Sequence, residues 1–406
     1  MILARRMLLG SAAGLAAPAV RAYGQAPVIR IGVLNDQSGP TRDGSGPGSV
    51  VCAQQALAEF SHPSFSVALV AADHQNRPDV GVSIARRWID LADVDLILDV
   101  PISSVALAVS DVVRARNKVM ICSGSGSPDL SGAQCSPNTV QWTFDTYMLS
   151  RSTATQVVRL GGTRWFFLTG NYVFGRQLER DASRFVRANG GTVVGRVEYP
   201  FPGTSDFSSY LLQARSSRAD VICFTVGGDD TINGVKQAHE FRLGPTVRLV
   251  ALAANANDVA AIGPEVAQGL FLTSAFYWDL NDRTRAFSWR VIDRMPQRQP
   301  PNAVQAGCYS GAIHYLKAVA ALGPARAKAD GAAVVARMKE LAVDDDAFGS
   351  GTVRPDGRAI FPVHLLQAKP PGEIRQGIDT LRLVATTPED QAWLPMVEGG
   401  CPLIRP

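Results

Sequence analysis

The sequence predicts an α/β protein built as two doubly wound lobes, and three observations carry that prediction. At 406 residues the chain exceeds the size at which a single hydrophobic core stops growing, so two cores are expected. Short β-branched apolar runs alternate with helix-length amphipathic segments, as βαβ units around a parallel sheet require. The series then breaks at a polar, turn-rich stretch, residues 123–138, and starts again.

Taken in order, the first unit reads as strands at 29–34, 66–71, 95–99 and 119–123, with helices at 47–60, 78–91 and 103–116 between them. The second reads as strands at 164–169, 192–197, 221–225, 247–252 and 270–273, separated by helices at 147–160, 174–189, 207–215 and 230–241. Beyond Asp279 the pattern turns helical, at 283–295, 304–322 and 332–341, and closes in a Gly/Pro-punctuated strand stretch, 349–369. Two similar units followed by helices suggest a chain that returns to its first lobe before finishing on its second.

Composition narrows the class. Hydrophobic residues make up 46% and charged residues 19%, a globular balance that sets aside disordered and fibrous chains. The N-terminus reads as a targeting segment: Arg5-Arg6, then a short apolar run from Met7 to Val20, then small residues around Ala22 and Gly24. It is compatible with a twin-arginine signal and with an ordinary secretory one. Removing residues 1–26 takes away Arg5, Arg6 and Arg21 and no acid, so the net charge falls from +4 to +1. A nearly neutral surface offers no electrostatic case for nucleic acid.

Six cysteines, without a Cys-x-x-Cys pair, are too scattered for a disulfide scaffold. Cys52, Cys122, Cys223 and Cys308 sit in or beside apolar runs and read as buried thiols. Cys135 and Cys401 share a polar Cys-Ser-Pro or Cys-Pro setting, and an oxidising compartment would let them pair.

Several chemistries lack their residues. The loop after the first strand is glycine-rich but has no Gly-x-Gly-x-x-Gly, and no P-loop occurs. The Ser-Gly-Ser-Gly-Ser of 123–127 lacks the spacing of a nucleophile elbow. The five histidines form no metal-ligand pair, so neither a metal nor a cofactor is expected, and no convergent nucleophile and base point to an enzyme. What recurs instead is hydroxyl and small residues where strands end and helices begin: Ser103-Ser104, and Ser123 to Ser127. Open α/β sheets bind ligands there, and free amides at a helix N-terminus can hold a carboxylate without a cationic side chain. The same serines could simply cap their helices.

The mature chain resembles the type I periplasmic solute-binding proteins, in particular the branched-chain amino acid receptors of ABC importers and their relatives for aromatic acids. The resemblance is carried in order by Ile31 to Gly39 (IGVLNDQSG), Val100 to Val109, Ser123 to Leu130, Tyr172-Val-Phe-Gly175, Asp206 to Leu212 and Tyr277-Trp-Asp-Leu280. It implies two doubly wound lobes joined by three crossovers, near 139–146, 273–277 and 355–362. A signal peptide would occupy 1–26, lobe one 27–140 plus 277–355, and lobe two 141–276 plus 356–406. It also implies a periplasmic, monomeric protein that closes on a small molecule and passes it to membrane permease subunits.

The resemblance places the ligand carboxylate at Ser103, Ser104, Gly124, Ser125 and Ser127, with Tyr172, Phe174 and Tyr277 over its apolar body. Asp229 and Asp230 would meet its far end. Where these receptors carry an aromatic in the first loop, this chain has Thr41, Arg42 and Asp43, which makes Thr41 and Arg42 candidates too. The segment around 252–258, where an acid would receive an ammonium, reads Leu-Ala-Ala-Asn-Ala-Asn-Asp and aligns ambiguously. A ligand-sensing regulator of the same fold, binding an amide or amino acid, is the competing function, and the signal-like start favours the receptor.

Overall fold

The computed structural model describes residues 26–244, 247–375 and 377–404. The targeting segment expected at 1–26 lies outside the described residues except for Ala26.

The first part of the chain lays down β1 (Val28–Asn35), α1 (Gly46–Glu59), β2 (Ser66–Asp73), α2 (Pro78–Ala92), β3 (Leu96–Asp99), α3 (Ser103–Ala115), β4 (Val119–Cys122) and β5 (Thr139–Gln141). These strands form one parallel sheet in the order β2-β1-β3-β4-β5. β3 and β4 are buried at every residue, the expected state of central parallel strands covered on both faces.

The second part adds α4 (Thr146–Arg159), β6 (Arg164–Gly170), α5 (Val173–Ala188), β7 (Thr192–Tyr199), α6 (Ser208–Ser216), β8 (Val221–Phe224), α7 (Asp229–Glu240), β9 (Arg248–Ala251), α8 (Ala256–Ile262), α9 (Pro264–Ala267) and β10 (Phe271–Ser274). The chain then returns to the first sheet as α10 (Asp282–Val291), α11 (Ala303–Leu322), α12 (Pro324–Ala329) and α13 (Gly331–Glu340), with α11 packed on α1 and β3. β11 (Val343–Asp345), β12 (Gly349–Val353) and β13 (Ala359–Ile360) make a small separate sheet.

A last passage brings the chain back to the second sheet as β14 (Val363–Ala368) and β15 (Leu381–Thr387), both antiparallel, followed by the short α14 (Glu389–Ala392) and α15 (Met396–Gly399). That sheet runs β15-β14-β10-β9-β8-β6-β7. The molecule is thus two doubly wound lobes between which the chain passes three times, after β5, after β10 and after β13. Cys135 and Cys401 are joined by a disulfide, their Cα atoms 5.5 Å apart, and Cys52, Cys122, Cys223 and Cys308 are free and buried. No helix among the described residues is long and apolar enough to cross a membrane.

Candidate ligand-binding site

Strand order locates the site. In the first sheet the order of strand addition reverses between β1 and β3, and in the second between β6 and β8, the neighbours staying parallel. The loops at the carboxyl ends of such neighbours splay apart and leave a crevice. A cavity of about 160 Å³ lies there, lined from one lobe by Pro40, Thr41, Asp43 to Ser45, Pro101 to Ser103 and Gly124 to Gly126, and from the other by Tyr172, Phe174 and Gly227 to Asp229. A larger hollow of about 1230 Å³ lies at the opposite, amino end of the second sheet, bordered by Arg248, Phe271 and Arg382, away from both reversal points.

On the first wall the backbone is forced. Asp99, Val100 and Ile102 all have positive φ (83°, 50° and 67°), a region that costs a non-glycine residue free energy and that structures keep where a site needs it. The turn aims the N-terminus of α3 at the cavity, where Ser125 Oγ donates to Ser103 Oγ at 3.1 Å. Beneath it Asp99 is fully buried, and burial pushes its carboxyl up to about 6 although Asn35 (2.9 Å) and Ser123 (3.2 Å) donate to it. A side chain at Gly124 would bring Cβ to 2.6 Å from the Asp99 carboxylate and 2.9 Å from the Pro101 backbone, so glycine is required there.

The second wall is aromatic on one side and acidic on the other. The rings of Tyr172 and Phe201 stack at 4.2 Å, and Phe174 meets Phe144 edge-on at 6.4 Å. Opposite, Asn255 and Asp258 form the reciprocal cap of α8: the Asn255 side chain accepts from the amides of Asn257 and Asp258, and Asp258 accepts from the Asn255 amide at 3.0 Å. Burial pushes the Asp258 carboxyl up to about 6, and the charges of Asp229 and Asp43 add to the rise. Asp43, Asp229 and Asp258 all border the cavity, and no Lys, Arg or His stands among its described lining residues.

Residues 28–373 match the family model of the periplasmic binding proteins. The chain belongs to that family. This periplasmic binding protein is 38% identical to one from Burkholderia mallei, over 94% of this chain and 100% of that one, with a TM-score of 0.86. It is 35% identical to the periplasmic ligand-binding protein of a branched-chain amino acid ABC transporter from Burkholderia xenovorans, over 92% and 99% of the two chains, with a TM-score of 0.84. A solute-binding protein of an ABC transporter from Rhodopseudomonas palustris, solved with 4-hydroxybenzoate, shares the fold at 20% identity over 90% and 98% of the chains, TM-score 0.80.

Of the residues singled out in the sequence, this binding protein brings Thr41, Ser103, Gly124, Ser125, Tyr172, Phe174 and Asp229 to the cavity wall. The other five lie off that wall. Arg42 is half-exposed and turned to its neighbours, 3.6 Å from Asp43 and donating to the Gly39 carbonyl. Ser104 is exposed on the first turn of α3. Ser127 is buried and accepts from the Asp129 amide at 3.3 Å, a local cap. Asp230 accepts from the Gly203 amide at 3.1 Å, and Tyr277 exchanges hydrogen bonds with the Leu381 backbone under β15.

The cavity also uses Asp43, Phe144, Phe201, Asn255 and Asp258; of these the sequence reading names Asp43 only as part of the first-loop set and Asn255 and Asp258 only within the ambiguous segment 252–258. Asn255-x-x-Asp258 is a capping spacing that could have fixed the start of α8 and so settled the ambiguous loop. Phe144 and Phe201 carry no such signal, because a crossover and a loop after β7 deliver them.

Proposed function

We propose that this chain is the exported, monomeric receptor of an ABC importer, closing two lobes on a small α-amino acid with an apolar or aromatic side chain and delivering it to permease subunits in the membrane. In this reading lobe one is 27–140 plus 277–355, lobe two is 141–276 plus 356–406, residues 1–26 are removed on export to the periplasm, and the protein performs no catalysis. The observation that carries the ligand class is the opposition across the cavity: helix amides with Ser103 and Ser125 hydroxyls on one side, and Asp43, Asp229 and Asp258 on the other. Donors without a cation suit a carboxylate, and three carboxylates without a cation call for an ammonium. The stacked and edge-on rings suit the apolar body. About 160 Å³ is well below a drug-sized pocket, so the solute is compact.

The test is calorimetric titration and thermal shift with L-leucine, L-phenylalanine, benzoate and 4-hydroxybenzoate. The two amino acids are expected to bind and to raise the melting temperature by several degrees, through stabilisation of the folded state by mass action. Binding of the benzoates alone would overturn the ammonium assignment, and a flat response to all four would overturn the receptor reading for solutes of this size.

A pH dependence follows from Asp258. In the empty cleft its carboxyl titrates near 6 because it is buried, and a bound ammonium favours its ionised form. Affinity for an amino acid is therefore complete by about pH 7.5, is about halved at pH 6 and falls by up to about tenfold at pH 5 through proton linkage. Titrations at pH 7.5 and 5 with L-leucine check this, and Asp258→Asn should abolish the dependence. Equal affinity at the two pH values would remove Asp258 as the ammonium partner.

A further inference from the structure

Across the mouth of the cleft the lobes meet in a hydrogen bond that no ligand makes. Asn302 precedes α11, the long helix of the first lobe, and is almost fully buried. Its side-chain oxygen caps that helix, accepting from the amides of Val304 (2.9 Å) and Gln305 (3.1 Å). Its Nδ2 then donates twice, to the Gly44 carbonyl at 3.0 Å in the first lobe and to Asn257 Oδ1 at 2.8 Å in the second. Both sides of this bridge lead to the cavity. Gln305 donates to the Asp43 carbonyl at 3.1 Å, so the start of α11 holds the loop that carries Thr41, Asp43 and Gly44. Asn257 lies in the first turn of α8, between Asn255 and Asp258, and its amide donates to Asn255 Oδ1 at 2.9 Å.

We propose that Asn302 and Asn257 are a positioning pair for capture: a latch that forms only when the lobes close and that sets the Asp43 loop against the Asn255–Asp258 cap around the solute. The inference rests on the receptor reading above and deepens it by naming what holds the closed state besides the ligand. The geometry separates the two jobs of Asn302. Its oxygen serves the helix, which Ser or Asp can serve equally well as caps. Its amide hydrogens serve the bridge, which neither can replace in the same place.

The separation makes the proposal testable. Asn257→Ala removes the acceptor without touching the α11 cap. It is expected to raise the Kd for L-leucine or L-phenylalanine by about three- to tenfold, the effect of one neutral hydrogen bond, chiefly through faster dissociation. Asn257→Asp keeps an acceptor and should restore closure. Asn302→Asp keeps the helix cap but turns an oxygen toward the Gly44 carbonyl and Asn257 Oδ1, so affinity should fall further than in Asn257→Ala; the melting-temperature control is Asn257→Ala, whose lost bond lies only between the lobes and whose ligand-free melting temperature should stay near wild type. A purely structural role would move the melting temperature with the affinity.

A second arm needs no ligand. An Asn302→Cys/Asn257→Cys variant treated with a short bis-maleimide should cross-link and show a smaller radius of gyration by small-angle X-ray scattering. Cross-linking with compaction, or weakened binding at an unchanged melting temperature, supports the latch. Wild-type Kd and dissociation rate in both Asn257→Ala and Asn302→Asp, or failure of the cysteine pair to cross-link in folded protein, would overturn it. Absence of binding by the wild type to all four probes would instead count against the receptor reading, and the cross-link would still decide the latch.

Discussion

Replacing both Cys135 and Cys401 by serine is expected to lower the unfolding free energy by about 3–5 kcal/mol, the largest effect of any change considered for this protein. The bond joins residues 266 apart in sequence, from the loop before β5 to the C-terminal tail, so it encloses the whole second sheet. In the chain-entropy account, closing so long a loop removes many conformations from the unfolded state and few from the folded one. The folded ends are already in place without it. Trp393 donates to the Phe361 carbonyl at 2.9 Å, Arg354 donates to the Leu394 carbonyl at 2.8 Å, and Arg184 pairs with Glu398 at 3.3 Å. Denaturant unfolding of the double variant beside the oxidised wild type measures the loss. A change under about 1 kcal/mol would mean that residual structure already holds the two ends together in the unfolded chain or that the native bond carries offsetting strain.

Changing Ser103 and Ser125 together to alanine is expected to weaken carboxylate binding by about 1–3 kcal/mol, or roughly five- to 150-fold in Kd. The two hydroxyls meet at 3.1 Å at the start of α3 and border the cavity. Removing both leaves a charged ligand group with backbone amides alone. Stability should change little, because Ser103 does not cap its helix: the preceding residue, Ile102, holds the cap position and no side chain closes it. Titration of L-leucine against the double variant checks affinity, and a melting curve checks the fold. Unaltered affinity would take the hydroxyls out of the carboxylate's reach and leave the amides of the strained turn to do the holding. Ser104→Ala is the matched control, since that side chain faces solvent.

Much of this architecture could be read from residue order. Continuous apolar runs such as Leu96 to Leu98 and Val119 to Cys122, short and bounded by turns, suit central parallel strands, and the alternation of such runs with amphipathic segments points to doubly wound lobes. The switch-point rule then marks strand ends as the site and points to Ser103-Ser104 and Ser123 to Ser127, of which Ser103, Gly124, Ser125 and Gly126 border the cavity. β15 carries no strand signal in the sequence because it is an antiparallel strand with mixed exposure, LRLVATT, whose pattern has no clean period. β5 is three residues long and lies in the stretch read as a crossover.

The site's composition was decided elsewhere. Phe144 enters on a chain crossing, Phe201 on the loop after β7, and Asp43 and Asp258 face each other's surroundings only because the lobes close. Ser104, a neighbour of Ser103 in sequence, turns to solvent because a helix rotates successive residues by about 100°, so adjacency along the chain sends the two hydroxyls apart. The lesson is physical. Local pattern determines which segments bury a face and therefore the fold, whereas a binding surface between two lobes is set by rigid-body placement and backbone turns such as Asp99 to Ile102, whose left-handed residues leave no mark in composition.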